Sequence, residues 1–175
     1  CGAPPQVATE VRTTIGNVIG TDLGGVLRFL GIPFAAPPIG PRRFLPPESP
    51  ACLPTPLVAA DYGPVCAQLD EMGTYVGSED CLSLNIFAPA LTSTAPRPVL
   101  FFMHGGGNIA GSARQTRGAG VLLYDGTALA RETGAVVVTI QYRLNVLGFL
   151  VHPGVSSGNL GLLDQYRRAL AGLDL

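Results

Sequence analysis

Of all the residues in this 175-residue sequence, His104-Gly105-Gly106-Gly107 are the ones best arranged to do chemistry. They follow a run of five apolar residues, Val99 to Met103, that reads as a buried strand. A strand feeding three glycines exposes backbone N–H groups at the end of a sheet, and such donors stabilise the oxyanion that develops during acyl transfer. An oxyanion hole serves a nucleophile, and no nucleophile elbow follows this one in the sequence. The expectation is the front half of an ester hydrolase, inactive alone.

Other candidate residues give weaker signals. Gly154-Val155-Ser156-Ser157-Gly158 satisfies Gly-x-Ser-x-Gly, but a nucleophile elbow needs a strand running straight into a sharp turn and then a helix. Ser156 instead follows His152-Pro153 in a stretch rich in Gly, Pro and Ser, so a surface loop is expected. His104 precedes any nucleophile, whereas the serine, acid, histidine order puts the base last. It is expected to be a packed, hydrogen-bonded residue that positions the glycine loop, and His152 an exposed loop residue. With both histidines set aside, no Ser-His-acid constellation remains. Gly105 to Ala110 also fits Gly-x-Gly-x-x-Ala, with Asp125 about twenty residues after the first glycine. Gly111, Gly118 and Gly120 interrupt the helix that a dinucleotide site would need there, so that reading is rejected. No Cys-x-x-Cys or paired-His spacing suggests a metal.

The elements that must position these residues read as follows. Val7 to Thr14 and Val18 to Thr21 are β-prone runs separated by a Gly16-Asn17 turn signal, and Val26 to Leu30 is a third. Prolines dominate Ile32 to Pro64, predicting an irregular wrap over the core. Leu82 to Phe87 alternates as a strand does; Val99 to Met103 and Val136 to Gln141 are continuous apolar runs, as in strands buried on both faces. Gly126 to Glu132 should be a short helix ending before Gly134. Leu160 to Leu173 should be a longer one, packing Leu162, Leu163, Tyr166, Leu170 and Leu173 on the sheet. The rhythm is that of an α/β fold.

Composition narrows the class further. Hydrophobic residues make up 47% of the chain and charged residues 13%, with a net charge of −1; average soluble domains carry roughly 25% charged residues. So little charge suggests that covering structure is missing, and the eleven basic residues, all Arg, are scattered without forming a stripe, which argues against nucleic acid. Small neutral substrates fit better. No apolar stretch reaches the ~20 residues of a membrane-spanning helix. The opening Cys1-Gly2-Ala3 resembles the lipid-bearing start of a bacterial lipoprotein. With Cys1 set aside, Cys52, Cys66 and Cys81 leave one odd thiol, expected to be buried. A Cys66 to Cys81 bridge is the preferred pairing; its short loop, containing Gly73 and Gly77, would add ~3 kcal/mol and favour an oxidising compartment.

Several stretches, in this order, resemble the type-B carboxylesterase family, which includes the cholinesterases and has the α/β-hydrolase fold. They are Phe29 to Ala35 with Pro37-Pro38, Arg43-Phe44, Ser78 to Asn85, His104 to Gly107 with Gly111-Ser112, Tyr124-Asp125-Gly126, Tyr142-Arg143-Leu144 with Leu147 to Leu150, and Gly158 to Gln165. The resemblance implies that Gly106 and Gly107 donate two oxyanion-hole N–H groups, the third following a serine that this chain lacks. It also implies a Cys66 to Cys81 disulfide and two ion pairs, Arg43 with Glu79 and Arg143 with Asp164. A low-charge protein that buries a carboxylate must neutralise it, and Arg can do so bidentately. The sequence departs from the family at Asn108, where an aromatic residue is usual, at Gln141 in place of Asn, and at Asn145 in place of Gly. After Ala169-Leu170 it reads Ala171-Gly172-Leu173-Asp174-Leu175, where an aromatic-containing continuation of the helix is expected; this suggests truncation or a shifted reading frame.

Together these observations predict an α/β chain, the N-terminal part of an α/β-hydrolase fold, with a mixed central sheet and a small antiparallel N-terminal hairpin region. One incomplete domain covers 1–175: a β-hairpin region at 1–31, a Pro-rich wrap and disulfide loop at 32–81, and the start of the central sheet with the glycine loop at 82–175. The intact protein should hydrolyse a small carboxylic ester through an acyl-enzyme without a cofactor, outside the cytoplasm, secreted or anchored at Cys1, with a complementing C-terminal chain supplying the triad. The alternative is a non-catalytic, esterase-like binding or surface module.

Overall fold

Thr13 shapes the first turn. Its hydroxyl donates to the Gly16 carbonyl at 2.7 Å and accepts the Ile15 N–H at 3.3 Å, so the chain reverses at Thr14-Ile15. The Gly16-Asn17 turn expected from the sequence is therefore two residues too late. Gly16 and Asn17 are already paired with Thr13 and Arg12, because the side-chain bonds of Thr13 fix the register first.

The computed structural model describes residues 7–90 and 96–170. Cys1 and residues 171–175, including Leu173, lie outside the described residues. Seven strands form the main sheet: β1 (Val7–Thr13), β2 (Gly16–Asp22), β3 (Val26–Pro33), β4 (Leu57–Val58), β5 (Ser83–Pro89), β6 (Val99–Met103) and β7 (Val136–Ile140). Their order is β1-β2-β3-β5-β7-β6, with β4 pairing β2 in parallel. Neighbours are antiparallel up to β7, which pairs β6 in parallel. The sheet is mixed, as expected.

Alternation along the strands divides the core. Val138 and Ile140 of β7 join Phe29, Leu84, Ile86 and Tyr142 on one face, while Val137 joins Val26, Leu30, Phe87 and Ala130 on the other. Ala130 belongs to α1 (Thr127–Thr133), which is closed by left-handed Gly134. Asn85 stitches the sheet internally. Its Oδ1 accepts the Gly31 N–H at a bulge in β3, and its Nδ2 donates to Thr139 Oγ1 at 2.9 Å.

Two expectations fail on burial. β6 is not a strand buried on both faces: it is the sheet edge, and Val99, Leu100, Phe102 and Met103 are 38% to 46% exposed. Its continuous apolar run predicts cover on both faces, but in the described residues only β7 pairs with it. The helix α3 (Leu160–Leu170) likewise exposes Leu162, Leu163 and Tyr166, and buries Leu160, Gly161 and Asp164 instead. The reason is local. A side chain at Gly161 would collide with the Arg143 carbonyl and lie 2.6 Å from the Phe149 ring, so this face of α3 sits directly on the segment carrying Arg143 and on α2 (Asn145–Phe149). The sequence reading did not anticipate α2.

Candidate functional site

β6 delivers the chain to His104, whose side chain is buried although the following glycines are exposed. The imidazole stacks on Tyr142, with ring centroids 4.5 Å apart, and Tyr142 donates its hydroxyl to the His104 carbonyl at 2.8 Å. Nδ1 lies 3.0 Å from the Gly105 carbonyl, an arrangement that puts the proton on Nδ1. Burial pushes the imidazole below its ordinary pKa, with the Gly105 bond opposing. The same desolvation raises the phenol of Tyr142.

This packing aims the glycine N–H groups. A trans peptide points its C=O and the next residue's N–H in opposite directions. His104 Nδ1 holds the Gly105 carbonyl, so the Gly106 N–H is turned the other way. The Gly106 carbonyl accepts from Ile109 and Ala110 at 3.1 and 3.2 Å, so the Gly107 N–H is likewise turned outward. Among the described residues neither N–H has a hydrogen-bond partner, and both glycines are exposed. The curl requires glycine at 106, where φ is +122° and a Cβ would overlap the Ala110 carbonyl. Two adjacent unpaired N–H groups at the end of a sheet can receive a developing negative charge.

Two amide side chains hold the far end of the loop, and the backbone of Asn145 ties its near end. Gln68 accepts the Gly111 N–H at 2.7 Å and donates to the Gly111 carbonyl at 2.9 Å. Gln141 accepts the Ala113 N–H at 3.2 Å and donates to Ser112 Oγ at 2.9 Å. Asn145, in the left-handed region at φ +48°, donates its backbone N–H to the Asn108 carbonyl at 2.7 Å and its Nδ2 to the Ala67 carbonyl at 2.8 Å. The part played by Gln68 was missed, because nothing in its spacing marks it. Gln141 and Asn145 were visible only as departures from a family pattern.

The structure joins Cys66 and Cys81 in a disulfide and leaves Cys52 free; contrary to expectation this thiol is exposed, lying in the Pro-rich wrap on the surface. It brings Arg43 Nε to Glu79 Oε2 at 2.6 Å with side chains 44% and 23% exposed, and Glu79 raises the pKa of the Arg43 guanidinium. Arg143 meets Asp164 through Nη2 at 2.7 Å and Nε at 2.9 Å, with side chains 3% and 0% exposed. The remaining Arg143 nitrogen, Nη1, donates to the carbonyls of Arg43 and Leu45 in the Pro-rich wrap. Ser156 lies in a short strand, not a loop: Ser156–Ser157 pairs with Val151–His152, His152 opposite Ser156, outside the main sheet. Backbone pairing of Val151 with Ser157 orders this stretch despite its loop-like composition. Asp125, the candidate ribose ligand, accepts the Thr127 N–H at the start of α1. Among the described residues no group of three or more His, Cys, Asp or Glu is placed to hold a metal.

The mixed sheet, with a histidine-glycine loop at the end of its parallel edge strand, has the architecture of the N-terminal part of an α/β hydrolase. The chain belongs to the carboxylesterase family, whose model, described as "Carboxylesterase family", matches residues 6–171. It is 43% identical over 164 residues to the fumonisin B1 esterase of Sphingopyxis macrogoltabida, covering 87% of this chain and 29% of that protein. To mouse (Mus musculus) neuroligin-2 it is 35% identical over 196 residues, covering 89% and 22%. A solved carboxylesterase of Geobacillus stearothermophilus superposes with a TM-score of 0.80 at 42% identity, covering 91% of this chain and 33% of that one. The chain thus spans between about a fifth and a third of the length of the relatives it matches.

Proposed function

We propose that residues 1–175 form one incomplete α/β-hydrolase domain that supplies the oxyanion-stabilising loop of a carboxylic-ester hydrolase. In this reading Gly106 and Gly107 donate to the tetrahedral oxyanion. The serine nucleophile, the acid and the histidine base come from a complementing C-terminal segment, since His104 is buried against Tyr142 and lies upstream. The observation that carries the reading is the pair of exposed, unpartnered N–H groups at Gly106 and Gly107. The substrate is a small ester, which fits relatives named as esterases. The Cys66–Cys81 disulfide fits an extracytoplasmic setting, with the protein secreted or anchored through Cys1. A non-catalytic binding or surface module is the second reading; the similarity to neuroligin-2, a relative not named for hydrolysis, favours it.

The test uses the chain alone and a chimera in which residues 1–175 replace the matching third of the Geobacillus carboxylesterase. The chain alone should neither hydrolyse p-nitrophenyl esters above background nor react with a fluorophosphonate, while the chimera should do both. Gly106→Ala in the chimera keeps the N–H but its Cβ would overlap the Ala110 carbonyl and swing the donor away, so kcat should fall toward the ~10²–10³ loss that follows removal of one donor. Fluorophosphonate labelling of Ser156 in the isolated chain would sink the proposal. A chimera that folds without activity would favour the binding module.

A further inference from the structure

We propose that Gln68 is a positioning residue that ties the disulfide-closed segment to the glycine loop and thereby sets the direction of the Gly106 and Gly107 N–H groups. The last step rests on the proposed function; the mechanical link from Gln68 to the loop does not. Gln68 is 9% exposed, and three hydrogen bonds engage its carboxamide: Oε1 accepts the Gly111 N–H at 2.7 Å, and Nε2 donates to Gly111 O and Cys66 O, each at 2.9 Å. One planar amide therefore clamps both backbone groups of Gly111, as a neighbouring strand would.

Gly111 matters because of what it touches. Its φ is +123°, and a Cβ there would overlap the Gly105 carbonyl and come within 2.6 Å of His104 Nδ1. Gly111 therefore packs against the pair of atoms that orients the Gly105 peptide plane, and that plane carries the Gly106 N–H. The other end of the clamp is rigid. Cys66 is bonded to Cys81, the Ala67 N–H donates to Ser78 O at 3.0 Å, and Ala67 O accepts Asn145 Nδ2. Asn145 in turn holds Asn108 just beyond Gly107, so residues 66–68 govern both flanks of the exposed glycines. Gln68 acts through Gly111 and does not itself meet a reacting atom.

Residue-resolved amide exchange in the 175-residue chain tests this with Gln68→Leu, Gln68→Glu and the double variant Cys66→Ser/Cys81→Ser. Gln68→Leu should speed exchange at Ile109, Ala110 and Gly111 by about tenfold or more, the order expected when a buried amide loses its acceptor, and should move the Gly106 and Gly107 amide resonances. The amides of Val138 and Ile140 in β7 should keep their wild-type rates. Gln68→Glu keeps the acceptor for Gly111 N–H and loses the donor, so it should fall between wild type and Gln68→Leu. The double serine variant should speed the same loop amides. Should Gln68→Leu not fold, Gln68→Glu decides by the same comparison. Loop rates within about threefold of wild type, or equal acceleration in β7, would overturn the proposal. Because no readout needs hydrolysis, a failed ester assay leaves this result standing and bears on the proposed function alone.

Discussion

Neutralising Asp164 should remove a large part of the stability of this chain. Its carboxylate accepts three hydrogen bonds from Arg143: from the backbone N–H at 3.0 Å, Nε at 2.9 Å and Nη2 at 2.7 Å. Asp164→Asn leaves a guanidinium buried without its counter-charge and points an amide N–H at it. Breaking a buried pair from one side costs about 3–5 kcal/mol, against a total of about 5–15 kcal/mol for a typical domain. Glu79→Gln is the control: its partner Arg43 is 44% exposed, and solvent screens an exposed pair so that it contributes little. Urea unfolding at pH 7 should therefore show a large fall in midpoint for Asp164→Asn, little changed by salt. For Glu79→Gln it should show a small fall that salt reduces further. Replacing both members, Arg143→Met with Asp164→Leu, should recover only part of the loss, because the carbonyls of Arg43 and Leu45 lose their donor. An Asp164→Asn cost below about 1 kcal/mol, or no greater than that of Glu79→Gln, would refute the assignment of this pair as a buried structural lock.

The lowered pKa of His104 makes stability pH-dependent in a defined direction. The unfolded chain takes up the imidazole proton near the ordinary value of 6.5 while the fold resists it, so the contribution is full above pH 6.5 and lost as pH falls from there toward the folded pKa. His104→Phe keeps a ring on Tyr142 and should flatten unfolding midpoints between pH 5 and pH 7 relative to wild type; equal slopes would refute the account. Tyr62 gives the opposite sign: burial, then Asp125, pushes its phenol from 10.0 up to about 12, with Arg28 pulling it down. The contribution is full below about pH 10 and is lost as pH rises toward about 12. Its hydroxyl is buried with no partner among the described residues, so Tyr62→Phe should leave stability at pH 7 within about 0.5 kcal/mol and reduce alkaline unfolding. A loss above about 1 kcal/mol at pH 7 would show that the hydroxyl is bonded after all.

Legibility in the sequence followed the range of the forces involved. The α/β rhythm and α1 were readable because each rests on a local pattern: continuous apolar runs, and a terminating glycine at 134. The glycine loop could be placed for a similar reason, since three glycines after an apolar run have few other uses. The two side-chain amides that hold the loop were not readable as such. Gln68 reaches across 43 positions to Gly111, and Gln141 across 28 to Ala113, and no periodicity encodes contacts at that separation. The turn at Thr14-Ile15 was misread because Gly16-Asn17 is the stronger general signal, while the side-chain bonds of Thr13 decided the register.

Burial is where sequence pattern and structure part most clearly, and the two failures have one cause. Apolar periodicity records which faces a chain presents for cover; it carries no record of what lies opposite them. β6 has the composition of a central strand and is an edge among the described residues, and α3 turns Leu162, Leu163 and Tyr166 outward because Gly161 and Asp164 are drawn inward by Arg143. Stranding Arg143 would cost several kcal/mol, the same order as the exposed stripe forgoes at about 2 kcal/mol per leucine, so the Arg143–Asp164 pair and the close approach at Gly161 together set the face that α3 buries. Under the proposed function, the exposed stripe of α3, the side of β6 that has no strand partner among the described residues and the N–H groups of Gly106 and Gly107 are the surfaces that a complementing segment would cover.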